Sequence, residues 1–470
     1  MRRSAWFWGA WAAAMLMAAA VSFSLLRIPI QVPDSLLVML DARAAPSAAL
    51  SNFMGERGFL RPVYISQTRL LLDAAGGEHY FLVFRGFHAA LVAVLFVLFV
   101  MAARVRTRTD FAAFTLGLLV LTGIHTFRGN VWEAYPVNHY LEIAVCSLAA
   151  FVLCQSRGGW WADLLALVLF IAASLTIESG LIVVVVILTA RFVGLRGVSW
   201  TGTAFVMAAL AGYFYLRFVY LGTGAPSLDE RATGFGFGTL ERGDIIPRFG
   251  DAPYMLYSYN LVSSVLSVLL SEPRSGTWEM TRRWMVGDVA PSVIVSWVSA
   301  LTATGLLVWF AGVRFRVWLA RRCEHADQLV LVCLAVTAAN AVFCYTYTKD
   351  EIMSTAGVFY ALAVFAASRT AITRFARVSR GTLRSAALTL LLLVCSASWA
   401  IRATGLHYHM YYAGYNSRNE WVAVEVWLRE QRVEPTEEGT RLIEELRSAA
   451  IEMPGLNPYF LPRWSERWFD

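Results

Sequence analysis

Residues 81–108 read FLVFRGFHAALVAVLFVLFVMAARVRTR, a long apolar run that ends in closely spaced arginines. A helix needs about 20 apolar residues to cross the hydrocarbon core of a bilayer, which is about 30 Å thick. The same arrangement recurs along the chain, for example before Arg314, Arg316, Arg321 and Arg322. The pattern predicts a polytopic membrane protein with arginine-rich loops between its crossings.

The composition excludes a soluble globular protein. The chain is 58% hydrophobic and 16% charged, with a mean hydropathy of +0.55, whereas soluble domains are roughly 45–50% apolar and about 25% charged. The formal charge is +7, but the basic residues lie in short loops beside apolar runs, as the positive-inside rule requires. We therefore assign this charge to topology and expect no nucleic-acid partner.

The cysteines and the first residues narrow the class of protein further. The six cysteines fall in or near apolar segments without a close-spaced metal pattern, which indicates neither a disulfide framework nor a zinc site. The apolar run at about 5–26 is longer than the 7–15 residues of a signal-peptide core. It is therefore interpreted as an uncleaved first helix.

Positive residues orient the crossings. Arg2 and Arg3 place the N-terminus in the cytoplasm. The prediction is an all-α transmembrane domain over 1–402, with outer loops at 27–80 and 222–290 and an extracytoplasmic tail at 403–470 that contains a helix through about 437–451. Eleven crossings are expected, at about 5–26, 81–103, 111–126, 140–154, 161–176, 179–194, 200–220, 291–313, 328–345, 355–370 and 385–402.

The apolar stretch at about 254–270 is left out of that count. If it crossed, the helix at about 291–313 would place the arginines that follow it on the outer side, against the positive-inside rule. The stretch is instead predicted to lie flat in the outer interface, with its tyrosines at headgroup level.

Two carboxylates in the predicted outer loops are candidate catalytic groups. Asp34, in Pro33-Asp34-Ser35, follows the first crossing closely and is placed to accept a proton from a hydroxyl. Its alternative is a turn or helix N-cap, because Pro-Asp-Ser is ordinary turn chemistry. Glu133 lies on the same outer face, in a short connection dense in ionisable and aromatic side chains.

His139 and Glu178 are candidate binding residues. His139, at a helix mouth, suits recognition of a polar ligand, and the alternative is an ordinary interfacial loop. Glu178, in Glu178-Ser179-Gly180, lies at a hairpin too short to project far into water, and ionisable groups at membrane depth normally face protein or a wet cavity. The other interpretation is a carboxylate that caps the next helix.

Lys349 is the only lysine of the chain, and Tyr345 and Tyr347 precede it. A single cation among tyrosines suits a phosphate on a lipid carrier, because lysine binds phosphate as a point charge. The alternative is that Asp350 and Glu351 neutralise it in an exposed arrangement of little energetic consequence.

In layout, this chain resembles the GT-C type integral-membrane glycosyltransferases, which use polyprenyl-phosphate-linked sugars. The resemblance spans roughly 1–370. The chain departs from the family pattern in two ways: it has a single acid, Asp34, after the first crossing where many members have two, and it has Lys349 where arginine is common. The resemblance is carried by Asp34, Arg61-Pro62, Glu133, Glu178-Ser179-Gly180 and Tyr347 to Lys349.

The resemblance implies a GT-C-like fold in a bacterial inner membrane and a set of roles. The phosphate of the donor would lie near Lys349 or Arg61, Asp34 would act as the base toward an extracytoplasmic glycan, lipid or protein acceptor, and Glu133 would assist. A divalent cation is left open, with no ligands assigned. Tyr347, Glu178 and His139 are the further substrate-binding candidates.

Three alternatives stay open at this point. A transporter or flippase of a lipid-linked substrate would place functional polar groups near the bilayer midplane, often on paired broken helices. A surface-polysaccharide polymerase or ligase would use arginines in large outer loops, for which Arg231, Arg242 and Arg248 are candidates. The third is a structural membrane subunit.

Overall fold

The computed structural model describes most of the chain. The described residues are 4–44, 47, 59–132, 136–222, 232–234, 238–240, 247, 249–250, 254–270, 276–287, 289, 291–346, 348–378 and 383–453. Within them the regular secondary structure is helical except for one antiparallel pair of three-residue strands, β1 (Ala232–Gly234) and β2 (Gly238–Leu240).

Seven helices are long and apolar enough to cross a membrane within the described ranges. The span Trp200–Tyr220 includes a π-helical turn after its α-helix, and the span Asp350–Phe375 includes a 3-10 turn before its α-helix. The span Ala386–Met410 covers only part of a longer helix. The helices that carry the seven spans are α1 (Ala5–Leu25), α4 (Tyr80–Ala103), α10 (Trp200–Phe214, continued by a π-helical turn to Tyr220), α13 (Pro291–Leu319), α14 (His325–Val342), α15 (Ser354–Val378) and α16 (Leu383–Val422). The chain is therefore a multi-pass helical membrane protein.

The other four predicted crossings also coincide with helices, but these are shorter. The helix Arg108–Gly123 is continued by a short segment, His125–Val131, and the chain bends by 64° between the two. The last turn of this segment is α6 (Arg128–Val131). The count of eleven crossings stays a prediction. The four helices are α5 (Arg108–Gly123), α7 (His139–Cys154), α8 (Trp160–Thr176) and α9 (Ile182–Phe192).

The bundle is built around α15. From Val358 to Ala367 every residue of this helix is apolar or aromatic and at most 1% exposed. Helices α5, α7, α13 and α14 pack around it. The middle of the bundle is therefore filled by side chains.

Arginines form ion pairs between helix ends on the side that the sequence assigns to the cytoplasm. Arg314 of α13 makes two bonds to Asp327 of α14, at 2.9 and 2.6 Å. Arg369 of α15 lies 2.6 Å from Asp110 of α5, whose other oxygen accepts the Thr107 backbone N–H at the start of the helix. Arginines near the ends of α13 and α15 thus join neighbouring helices.

The first outer loop and the C-terminal segment form one outer layer with its own apolar core. Because they pack together, they lie on the same side of the membrane, so an even number of crossings separates them; the ten predicted between them satisfy this. The helices of the layer are α2 (Pro33–Ala44), α3 (Pro62–Ala75), α17 (Val424–Gln431) and α18 (Glu437–Glu452).

Helix α16 joins the bundle to this outer layer and is longer than the predicted 385–402. It runs unbroken for 40 residues to Val422. Near its middle it passes the end of α5, where Gly123 lies against the Trp399 carbonyl. At its outer end, Trp421 Nε1 donates to the Ile30 carbonyl at 2.6 Å, and Glu420 accepts the Val32 N–H at 3.3 Å. The segment that leads into α2 is therefore held by the C-terminal half of the chain.

The stretch predicted to lie flat in the interface forms α11 (Tyr254–Leu269), which is inclined inward instead, and α12 (Gly276–Met285) follows it. Its outer half contacts an outer loop through Asn260, which donates to the Tyr345 carbonyl at 2.9 Å. Its last carbonyl, that of Leu269, accepts from Thr304, near the middle of α13, and from the hydroxyl of Tyr360 on α15. The expectation of a flat helix was therefore wrong. The buried face is rich in serine (Ser263, Ser264 and Ser267), and these small side chains allow close packing against α14 and α15.

The shared outer layer predicts a labelling pattern. Single cysteines at exposed positions Glu78 and Glu434 should react with a membrane-impermeant maleimide from one and the same side of the membrane, which the sequence predicts to be the outer side. A single cysteine at exposed Arg157 should react only from the opposite side. The background would carry serine at Cys146 and Cys323, the native thiols that are not fully buried. Labelling of positions 78 and 434 from opposite sides would contradict the fold.

The Trp421 bond predicts a stability effect. Trp421→Phe keeps most of the apolar volume but leaves the Ile30 carbonyl without its donor, so we expect a loss of about 1–3 kcal/mol. The measurement is thermal unfolding of the purified protein in detergent. The matched control, Val422→Ala at an exposed neighbouring position, should change the melting temperature little; equal effects of both changes would refute the role of the hydrogen bond.

Candidate functional site

The described residues contain a buried ion cluster centred on Glu178. Arg61 Nη2 lies 2.9 Å from one carboxylate oxygen, and Arg217 Nη1 lies 3.2 Å from the other. Arg217 also donates to the Tyr213 hydroxyl at 2.9 Å. Arg61 comes from the first outer loop, Glu178 from the α8–α9 hairpin and Arg217 from the end of α10. Three segments far apart in sequence therefore meet at one carboxylate.

The hairpin holds Glu178 in place through a close backbone approach. After α8, one short 3-10 turn, Glu178–Leu181, leads directly into α9. At Gly180 an added Cβ would collide with the carbonyl of Ala173 on α8. Glycine is therefore required where the chain turns back, and the tight turn fixes the carboxylate at the helix ends.

The two guanidinium groups keep the carboxylate charged. Burial alone would raise the pKa of Glu178, but the positive charges of Arg61 and Arg217 outweigh it and hold this pKa below its usual range. The side chains of Arg61 and Arg217 are only 8% and 3% exposed, so solvent screens the pairs weakly. Two cations and one anion leave this cluster with a net positive charge.

Aromatic groups connect the ion cluster with Lys349. The ring of His139 lies 5.7 Å from that of Tyr64 and 4.5 Å from that of Tyr140. Lys349 Nζ lies 5.7 Å from the Tyr140 ring centre, and His139 is within electrostatic range of both Arg61 and Lys349. His139 thus lies between the two basic parts of the site.

The structure brings together four of the residues proposed from the sequence: Arg61, His139, Glu178 and Lys349. The carboxylate of Glu178 faces two arginines. The acids beside Lys349 contact the segment that connects α5 with α7. Asp350 is 3.5 Å from His125, and Glu351 is 4.0 Å from Arg128.

Three candidates cannot be placed by their side chains. Glu133 and Tyr347 lie outside the described residues. Asp34 is the second residue of α2, and its backbone is helical, but its side chain is outside the described part. The roles of these residues stay predictions.

Arg217 and Tyr213 are site residues that the sequence interpretation missed. They lie within a segment that was assigned as one apolar crossing. An arginine inside an apolar run was the available signal, because a charge at membrane depth normally faces protein or a wet cavity. The segment from Tyr215 to Tyr220 is π-helical, a form that is frequent at functional sites.

The described residues hold no group of three or more His, Cys, Asp or Glu side chains that could bind a metal ion. The Asp34 side chain and Glu133, which a cation near the proposed base would need, lie outside that part of the chain. The divalent cation therefore stays a hypothesis.

Comparison with known proteins adds nothing to this geometry: no protein-family model, curated protein or solved structure matches the chain. The interpretation of the site depends on its own residues.

The close approach at Gly180 predicts a stability difference between two glycine variants. Gly180→Ala should destabilise the protein by at least about 1–3 kcal/mol, because the new methyl group overpacks the hairpin. Gly86→Ala is the matched control, since this helical glycine has no atom within 4 Å of the added Cβ and alanine favours a helix. Thermal unfolding in detergent would compare the two, and an unchanged melting temperature for Gly180→Ala would contradict the packing.

Proposed function

We propose that this chain is a membrane glycosyltransferase that moves a sugar from a polyprenyl-phosphate donor to an extracytoplasmic acceptor. The observation that carries the proposal is the pairing of Arg61 and Arg217 with one buried carboxylate, Glu178, at the ends of the helices. Lys349 lies nearby, beside the ring of Tyr140 that contacts His139. The proposed location is a bacterial plasma membrane, with the N-terminus in the cytoplasm and the C-terminus outside.

The charge of the site supports a phosphate ligand. Arg61 and Arg217 bring two cationic groups to one carboxylate, Glu178, and Lys349 adds a third cation beside the ring of Tyr140. Arginine binds phosphate oxygens in pairs, and lysine contributes a point charge. Such a set can hold the phosphate of the donor and stabilise the charge it gains when the sugar leaves.

The surface beside Arg217 supports a lipid-linked donor. Arg217 is 3% exposed, whereas its neighbours Tyr215, Val219 and Tyr220 are 62%, 66% and 73% exposed. An apolar and aromatic surface thus lies directly next to a buried cation. A polyprenyl chain against this surface would place its phosphate at the cluster.

The backbone of the outer layer supports Asp34 as the base. The Arg69 side chain on α3 donates to the Arg43 carbonyl near the end of α2 at 2.6 Å. Asp34 precedes Arg43 by nine residues, and Arg61 precedes Arg69 by eight. Arg43 also lies beside Leu72 and Asp73, near the end of α3, so the two helices run in the same direction. This favours a position of Asp34 at the same end of the helix pair as Arg61.

The proposed reaction is a displacement with inversion. The acceptor hydroxyl oxygen attacks the anomeric carbon, and the bond from that carbon to the phosphate oxygen breaks. Asp34 accepts the hydroxyl proton, and the polyprenyl phosphate leaves with the bonding electrons, held by the cations. Glu133 would orient Asp34 or hold a cation, and Tyr347 would line the donor site.

The filled centre of the bundle favours transfer over transport. A transporter requires a polar path through the membrane at some stage of its cycle. The ten buried residues Val358 to Ala367 offer no such path along α15, and the ion pairs Arg314–Asp327 and Arg369–Asp110 close helix ends on the side opposite to the site. The arginines that would support a polymerase or ligase, Arg231, Arg242 and Arg248, lie outside the described residues.

The test is sugar transfer in membranes supplied with a series of polyprenyl-phosphate-linked sugars. Asp34→Asn should lower kcat by about 10²- to 10⁴-fold, because it removes the base. Lys349→Met and Arg217→Gln should each lower kcat/KM for the donor by about 10- to 100-fold, as expected for the loss of a charged hydrogen bond.

The control is Arg429→Gln, which removes one positive charge from an exposed helix of the outer layer and should leave transfer unchanged. Full activity of Asp34→Asn would refute the role of this residue. Absence of transfer from every donor by the unmodified protein would refute the function.

A further inference from the structure

A second site lies in the outer layer, in a cavity of about 290 Å³ between the α3–α4 turn and α18. This volume is near the lower limit of about 300 Å³ that is usual for small-molecule sites. No residue of this cavity belongs to the cluster around Glu178. The lining residues are Arg43, Leu72, Asp73, Gly76, Gly77, Tyr80, Glu438 and Arg441.

One wall of the cavity is bare backbone. Gly76 and Gly77 have φ values of +63° and +94°, which side chains rarely adopt, and an added Cβ at either would meet no atom within 4 Å. The turn therefore leaves open space beside peptide groups. Backbone N–H and C=O groups of this kind fix the orientation of ligands in small-molecule sites.

Tyr80 provides an unused polar group at the cavity. This residue is fully buried, and among the described residues its hydroxyl has no hydrogen-bond partner. Four charged side chains are within electrostatic range of that hydroxyl: Arg43, Arg441, Glu438 and Glu445. A buried hydroxyl without a partner costs about 1–3 kcal/mol, and a ligand in the cavity would remove that cost.

The charges that line the cavity balance. Arg43 and Arg441 carry two positive charges, and Asp73 and Glu438 carry two negative charges. The Arg43 side chain is 12% exposed and lies 2.8 Å from Glu438. A phosphate or a carboxylate ligand would gain little from such a set, whereas a neutral ligand with many hydroxyl groups could donate to the acids and accept from the arginines.

We propose that this cleft binds a neutral saccharide unit. Each sugar hydroxyl both donates and accepts, which matches guanidinium, carboxylate, phenol and peptide groups placed around one cavity. The cleft lies at the far end of α3 from Arg61, and twelve residues of helix correspond to about 18 Å. It is thus a separate site for a glycan on the same outer face, and its existence does not depend on the proposed transfer.

The experiment measures binding without any donor. The full-length protein in nanodiscs would be titrated with maltotetraose, cellotetraose and β-1,4-mannotetraose, and with tri-galacturonate as an anionic comparison, by saturation-transfer NMR. At least one neutral tetrasaccharide should bind. Tyr80→Phe and Glu438→Gln should each weaken that binding about 5- to 10-fold, as expected for the loss of one hydrogen bond.

Tyr80→Phe separates a ligand role from a structural one. Because the hydroxyl has no partner among the described residues, its removal should leave the melting temperature unchanged or higher while binding weakens. Glu444→Gln, the same charge change at an exposed position of α18 outside the cavity, should not alter binding.

Three results would overturn the proposal: no binding of any neutral tetrasaccharide at millimolar concentration, binding that is equal in Tyr80→Phe, Glu438→Gln and the control, or binding of tri-galacturonate alone. Transfer activity with no binding at the cleft would refute this inference and leave the proposed function in place. Binding at the cleft with no transfer activity would refute the proposed function and leave this inference in place.

Discussion

The candidate site depends on one buried carboxylate, Glu178, that is held between two guanidinium groups. Removing charges from water is costly, and a buried pair repays that cost only when its geometry is good. Here Arg61 and Arg217 approach separate oxygens of the same carboxylate. The ionised state of Glu178 therefore requires that the first outer loop, the α8–α9 hairpin and the end of α10 stay together.

The same constraint explains why the hairpin is so tight. Gly180 lets the chain return against the Ala173 carbonyl, so the carboxylate stays at the level of the helix ends. The arginines must then come to it, one from the start of α3 and one from the π-helical end of α10. The proposed phosphate site combines these two arginines with Lys349, which lies on the other side of the His139 and Tyr140 rings.

The C-terminal segment determines the position of the first outer loop. Trp421 and Glu420 bind the backbone just before α2, and α18 completes the core on which α2 and α3 pack. This arrangement connects the two ends of the chain across a single outer layer. The charge-balanced cleft beside Tyr80 is a consequence of the same packing, since its walls come from α2, α18 and the α3–α4 turn.

The sequence by itself determined the class of protein and the positions of the apolar helices. Apolar run length and arginine placement suffice for this, because a bilayer imposes both locally along the chain. The bounds of the eleven predicted crossings agree with those of helices to within a few residues, except that α13 continues to Leu319, α15 to Val378 and α16 to Val422. Local pattern also identified His139, Glu178 and Lys349 as polar groups that topology did not explain, and the family resemblance added Arg61.

Only the tertiary structure decided which of these residues meet. The role of Arg217 could not be assigned from the sequence. Its partner, Glu178, is 39 positions away, and no local pattern predicts a contact over that separation. The inward inclination of α11 was also out of reach, since it follows from the contacts of its serine face and of the Leu269 carbonyl with other helices. Long-range packing determines both the Arg217–Glu178 pair and the inclination of α11. In a sequence, such packing is indicated only by polar residues that the local pattern does not account for.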